Sequence, residues 1–120
     1  MRFAAVSEDG ENIGGHLGQA GAVLVFDIAE NGDASPVGER PGLGGSGHGA
    51  DALAPFIAQL SDCSFILAGS IGPRMQRALA AQNISALETA GSISDAARKL
   101  ADYERRRQAR RISTKNGGTP

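Results

Sequence analysis

Residues 51–89 constrain the fold more than any other stretch, because helix-patterned and strand-patterned segments alternate there. From Asp51 onward, Leu53, Phe56, Ile57 and Leu60 fall at i, i+3, i+4 and i+7, the stripe of an amphipathic helix. Pro55 fits that helix only within its first turn, where a missing N–H costs nothing. Cys63 to Ala68 (CSFILA) is a continuous apolar run ended by Gly69-Ser70, as expected of a strand covered on both faces. Ile71-Gly72-Pro73-Arg74 then opens a second helix, with Pro73 at the favoured first position. Met75, Ala78 and Leu79 face inward and Asn83 is the stop. Ile84 to Thr89 reads as the next strand. Strands joined through a helix are parallel neighbours, and the crossover is right-handed.

The flanking segments complete the order. Phe3, Ala5 and Ser7 alternate with Ala4 and Val6, giving a first strand over Arg2–Ser7. Glu8 to Ala20 has turn residues and no period, so it reads as a loop. Gly21 to Ala29 (GAVLVFDIA) is a strand, Asn31-Gly32-Asp33 a tight turn. Ala34 to Glu39 is a strand that Pro36 confines to an edge or to its first position. Ser92-Ile93-Ser94-Asp95 has capping-box spacing, and Ile93, Ala96, Ala97, Leu100 and Tyr103 keep helical period. The predicted architecture is α/β, a mixed five-stranded sheet in the order β-β-β-α-β-α-β-α, built from a hairpin feeding βαβ crossovers.

At 120 residues the chain suits one domain, and 41% hydrophobic with 21% charged residues excludes wholesale disorder. No apolar run approaches the ~20 residues that span a bilayer, and the start at Arg2 has no signal-peptide pattern. One cysteine excludes an internal disulfide and any Cys-rich zinc or iron–sulfur cage within the chain. The expected compartment is the cytoplasm. The net charge of −1 hides an asymmetry. Residues 1–94 carry four basic and ten acidic side chains; residues 95–120 carry eight basic and three acidic. Arg105–Arg107 close the last helix, where cations suit the macrodipole. The Arg-rich stretch lacks interleaved aromatics for base stacking, so a solvated helix end is expected rather than a nucleic-acid site. Ile112 to Pro120 has no core-forming pattern and is expected to be disordered.

The candidate chemistry lies in loops. Gly69-Ser70-Ile71-Gly72-Pro73-Arg74 joins a parallel strand to a helix N-terminus, a place where backbone N–H groups and the macrodipole hold anions. Arg74, a cation in the first turn, opposes that dipole, and an anion would relieve the conflict; an Arg74 that simply extends into water satisfies the pattern equally. The turn is not a GxxxxGK[ST] phosphate loop. His16 and His48 are the only histidines, and each sits among glycines, His16 between Gly15 and Gly18. Imidazole is a good ligand for iron and neighbouring transition metals, although a solvated loop histidine is the commoner case. Cys63 is a third potential ligand, in a position where free cysteines are usually buried and inert. No GxSxG, HExxH or local Cys–His pairing supports catalysis. Asp27 is the single acid in a core strand, so the carboxylates of a Mg²⁺ nuclease do not converge.

Two groups of segments together carry a resemblance. Phe3-Ala4-Ala5-Val6-Ser7, then Ile13-Gly14-Gly15-His16-Leu17-Gly18-Gln19-Ala20 leading into Val23–Asp27, form the first. Asp62–Arg74 with its Ile-Gly-Pro-Arg turn, and Ser92-Ile93-Ser94-Asp95-Ala96-Ala97, form the second. Over about residues 2–104 the chain resembles the dinitrogenase iron–molybdenum cofactor family of nitrogenase cofactor assembly. The resemblance implies a ribonuclease H-like fold without nuclease activity, in a domain over residues 1–104 followed by a basic helix end and tail over 105–120. It implies a carrier or scaffold rather than an enzyme, one that binds the iron–molybdenum cofactor or an iron–sulfur precursor cluster. His16 takes the place of the histidine in the family's His-Phe-Gly loop, with Leu17 replacing the aromatic, and His48 matches its Gly/His-rich loop; both are candidate metal ligands. The implied cofactor-binding residues are Gly15, His16, Gly18, His48, Gly69, Ser70, Gly72 and Arg74. The implied partners are assembly proteins that donate or accept the cluster, with no membrane. Three other readings stay open: a cofactor-free interaction module using the basic helix, a carrier of a different molybdenum-containing cluster, and a binder of a phosphorylated small molecule.

Overall fold

The apolar alternation of the first strand is what sorts the molecule into layers. Phe3 and Ala5 face one side of the sheet and Ala4 and Val6 the other, and all four are buried. The computed structural model describes residues 1–44 and 53–117. Strand β1 (Arg2–Ala5) is followed by β2 (Asn12–Ile13), a 3-10 turn (Leu17–Gln19), β3 (Ala22–Ile28) and β4 (Ala34–Pro41). Then come α1 (Leu53–Ala58), β5 (Phe65–Ala68), α2 (Pro73–Ala81), β6 (Ser85–Glu88), β7 (Gly91–Ser92) and α3 (Ile93–Gly117). The main sheet has five strands in the order β4-β3-β1-β5-β6. β1 is antiparallel to β3 and parallel to β5, β3 is antiparallel to β4, and β5 is parallel to β6. The sheet is therefore mixed, as the α/β pattern requires.

On one face Val23, Val25, Ile66 and Ala68 pack with Phe56 and Ile57 of α1 and Met75 and Leu79 of α2. On the other, Phe26, Ile28, Phe65 and Leu67 pack with Ile93, Ala97, Leu100 and Ala101 of α3. Burying one such large side chain contributes about 1.5–3 kcal/mol, so both layers are needed to hold the central strands. Pro36 lies on an edge strand, and the register shifts at Val25/Phe26, where Phe26 pairs Pro36 and Val25 pairs Gly38. The bulge lets the ladder pass a residue that cannot donate. Pro73 takes the first position of α2 with Gly72 before it, and Asn83 adopts the left-handed conformation at φ 62° just beyond. Pro55 falls in the first turn of α1 as described.

Three segments depart from the pattern expected of the sequence. Residues 8–20, expected as a loop, contain β2, which pairs with β7 as Asn12↔Ser92 and Ile13↔Gly91, and the 3-10 turn. A two-residue ladder carries no readable period; buried Ile13 was its only apolar mark. The capping box is half formed, since Ser92 Oγ accepts from Asp95 N–H at 3.0 Å. Finally, α3 continues to Gly117, past Arg111 where core-forming residues end. From Asp102 to Arg111, tolerant residues such as Arg, Gln and Ala propagate the helix once its first turns are held by packing. No helix among the described residues is long and apolar enough to cross a membrane.

At the starts of β1 and β5, Arg2 bonds both Asp27 and Asp62, and Arg40 clamps Asp62 with two guanidinium nitrogens at 2.6 and 2.7 Å. The Arg40 hydrogen bonds, then the one from Arg2, hold the Asp62 carboxyl well below the usual carboxylate range. A carboxyl depressed in the folded state stabilises above its unfolded value, about pH 4, and that stabilisation is lost as the pH falls below it. Asp62→Asn is therefore expected to be less stable than the wild type at neutral pH, with the gap closing below about pH 4. Urea titrations across this range measure it, and a gap constant with pH would contradict the assignment.

Candidate functional site

The loop after β1 and the turn after β5 meet edge to edge. Gly15 carbonyl oxygen accepts from Gly69 N–H at 2.9 Å and from Ser70 N–H at 3.2 Å, and Leu17 N–H donates to Ser70 carbonyl oxygen at 2.9 Å. His16 and Ser70 thus form a parallel bridge outside the main sheet. Two glycines permit this approach. Gly15 has φ 100°, a region closed to most side chains, and a Cβ on Gly69 would lie 3.1 Å from Gly15 nitrogen and 3.2 Å from its carbonyl oxygen. Leu17 and Ile71, one on each side of the junction, are buried and anchor it to the core.

The side chain of His16 is exposed and begins the 3-10 turn, with Nδ1 accepting from Gly18 N–H at 3.0 Å. Gly18 is tightly placed: a Cβ there would come 3.1 Å from the imidazole Cε1. The segment that leads toward His48 starts from the same edge. Gly42 N–H donates to Gly21 carbonyl oxygen at 2.9 Å and Gly44 N–H to Ala20 carbonyl oxygen at 2.8 Å. A Cβ on Gly44 would overlap Gln19 carbonyl oxygen, so the backbones touch. His48 itself lies outside the described residues.

The turn before α2 supplies fewer donors than its sequence suggests. Gly69 and Ser70 spend their N–H groups on Gly15, and Ile71 N–H donates to Glu88 Oε2 at 2.8 Å. Those of Gly72, Arg74 and Met75 have no acceptor among the described residues. Gly72 has φ 86° and leads into the helix without a side-chain cap. Arg74 is exposed and forms no ion pair among the described residues. These are the features of an anion-binding helix start. Glu88, the last residue of β6, brings a negative group to the same turn. Nothing in a lone Glu at a strand end marks it for this, beyond the rule that ligand sites in α/β sheets gather at the carboxyl ends of parallel strands.

Cys63 lies at the other end of β5. It is 4% exposed within the apolar layer, and burial first, then Asp62, pushes its thiol up to about 11. The thiolate that metals bind is disfavoured there, so Cys63 is not brought to the site. Among the described residues no three His, Cys, Asp or Glu side chains come together to hold a metal ion. What the junction brings together is the backbone of His16 and that of Ser70, three residues before Pro73 opens α2, with Arg74 in the first turn of that helix. Because His16, Gly69, Ser70 and Arg74 are all exposed, a bulky anion could rest on the surface without entering a cage.

The sequence profile of the family described as dinitrogenase iron–molybdenum cofactor matches residues 1–103. Among solved structures, the crystal structure of PH0822 is similar with a TM-score of 0.64 and 24% identity, covering 85% of this chain and 89% of that one. That likeness bears on the fold alone. No curated protein matches the chain.

The junction predicts a specific weakness. Gly69→Ala forces a methyl against Gly15 backbone and is expected to destabilise by about 1–3 kcal/mol, measured by chemical denaturation. A variant as stable as the wild type would show that the two loops are not in tight contact.

Proposed function

Because the chain belongs to the dinitrogenase iron–molybdenum cofactor family, we propose that it is a non-catalytic carrier or scaffold for an anionic metal–sulfur cluster. The cargo is the iron–molybdenum cofactor or its iron–sulfur precursor, held between His16 and the Gly69–Arg74 turn, in a ribonuclease H-like domain working in the cytoplasm. The observation that supports this reading is the Gly15–Gly69–Ser70 junction, which pairs the backbone of exposed His16 with Ser70 just ahead of a helix start where, among the described residues, the N–H groups of Gly72, Arg74 and Met75 have no acceptor and Arg74 has no ion pair. A cluster is large, negatively charged and covered in sulfides that accept hydrogen bonds. Donors on an open surface can hold such a cargo, and few bonds to metal leave it releasable. Release is what a carrier needs, because the partners are assembly proteins that donate or take the cluster.

Anaerobic loading with a cluster precursor, followed by metal analysis, tests this proposal. His16→Ala is expected to retain several-fold less metal than the wild type; equal retention would remove His16 from the site. Glu88→Gln takes a negative charge away from the turn while leaving an oxygen to accept from Ile71. It is expected to bind the anion more tightly, and weaker binding would mean that Glu88 does not oppose the cargo.

One observation favours a separate docking element. α3 runs on to Gly117 after Tyr103 has packed edge-to-face on Phe65 and Arg105 has donated to Glu30 carbonyl oxygen at 3.2 Å, and Arg106 and Arg107 on it are exposed. We assign this basic extension to recognition of an acidic assembly partner. Deleting residues 105–120 should abolish partner pull-down while leaving cluster loading unchanged, and lost loading would contradict the division of roles.

A further inference from the structure

We infer that His16 holds its cargo as a hydrogen-bond donor through Nε2–H and is not a metal ligand. The inference rests on the cluster-carrier proposal and specifies the chemistry of its central side chain. The deciding contact is the 3.0 Å hydrogen bond from Gly18 N–H to His16 Nδ1. A backbone N–H can only donate, so Nδ1 must present its lone pair. A neutral imidazole carries one proton, which therefore sits on Nε2.

Each route to coordination breaks this arrangement. A metal on Nδ1 would take the lone pair that Gly18 uses, at a nitrogen already packed against the backbone of its own turn. A metal on Nε2 would require the proton to move to Nδ1, so that two donors would face each other across 3.0 Å. Metal-bound histidines ordinarily donate their second ring N–H to a carbonyl or carboxylate. Here the partner at that position is itself a donor. The hydrogen bond also caps the 3-10 turn whose Leu17 is fully buried, so ligation would disturb the anchor of the whole loop. The Nε2–H that remains is suited to the outer sulfide or oxide of a metal anion, the same class of acceptor that the N–H groups of Gly72, Arg74 and Met75, which have no acceptor among the described residues, can serve.

The test uses the full chain with ¹⁵N-labelled histidine and tetrathiomolybdate, a sulfide-covered molybdenum anion, as the probe. Long-range ¹H–¹⁵N spectra report which ring nitrogen is protonated, and the spectrum of His16→Gln identifies the His16 signals against those of His48. Without the anion, the Nε2-protonated tautomer supports the inference and the Nδ1-protonated one overturns it. With the anion bound, a retained Nε2 proton and an unbroken Gly18 contact support it. Loss of that proton, with a displaced Gly18 amide, overturns it while leaving the carrier proposal standing.

Affinity gives an independent readout. Gln places an N–H donor near the Nε2 position but is a poor substitute for an imidazole ligand, so His16→Gln should bind within about threefold of the wild type. His16→Ala should lose about tenfold or more, the worth of a hydrogen bond to a charged acceptor. Equal losses in both variants would overturn the donor role. A wild type that does not bind the anion at all would defeat the carrier proposal and, with it, any cargo for His16.

Discussion

Gly15 carbonyl oxygen receives two N–H donors from the turn after β5, and this shared acceptor is what the site depends on. It joins two loops that are more than fifty residues apart in the chain and that leave adjacent, parallel strands. The approach is possible because Gly69 has no Cβ to press on the Gly15 backbone and because Gly15 adopts φ 100°, a conformation closed to most side chains. With the junction made, the position of His16 is set by its bridge to Ser70, and the start of α2 is set by buried Ile71. The core supplies the rigidity beneath. β1 and β5 are buried on both faces, so the loops at their ends inherit a fixed separation.

The chemistry of the surface follows from which polar groups the junction consumes. Gly69, Ser70 and Ile71 are already satisfied, so the turn is not an open nest; the donors that lack an acceptor among the described residues begin at Gly72. Residues 1–94 carry an excess of acidic side chains, so in the proposed site the attraction for an anion would come from local dipoles and Arg74 rather than from net charge. Glu88 reduces that attraction further. Modest affinity and easy exchange are what the proposed carrier role requires of such a surface, and among the described residues no cage of metal ligands is formed.

Much of the fold was legible because its elements are long enough to show a period. The Leu53–Leu60 stripe, the CSFILA run and Pro73 each have one physical interpretation, and the resulting helices and parallel strands are those observed. The edge position of β4 followed from Pro36 alone. The β2–β7 ladder was not legible, since two residues cannot display alternation and their pairing spans some eighty positions. At the site, the meeting of the His16 loop with the Gly69 turn could be anticipated from topology, but the way donors are spent could not. That Gly18 faces His16 Nδ1, or that Glu88 reaches Ile71, depends on ångström-scale geometry that residue types do not encode.

Amide chemical-shift mapping of the full chain during anaerobic titration with a molybdenum–iron–sulfur cluster anion tests the central claim most directly. The account predicts that the largest changes fall on residues 15–18 and 72–75, which flank the junction that the Gly15 carbonyl makes with Gly69 and Ser70. Changes confined to the basic half of α3, or to the face between α1 and α2, would contradict it.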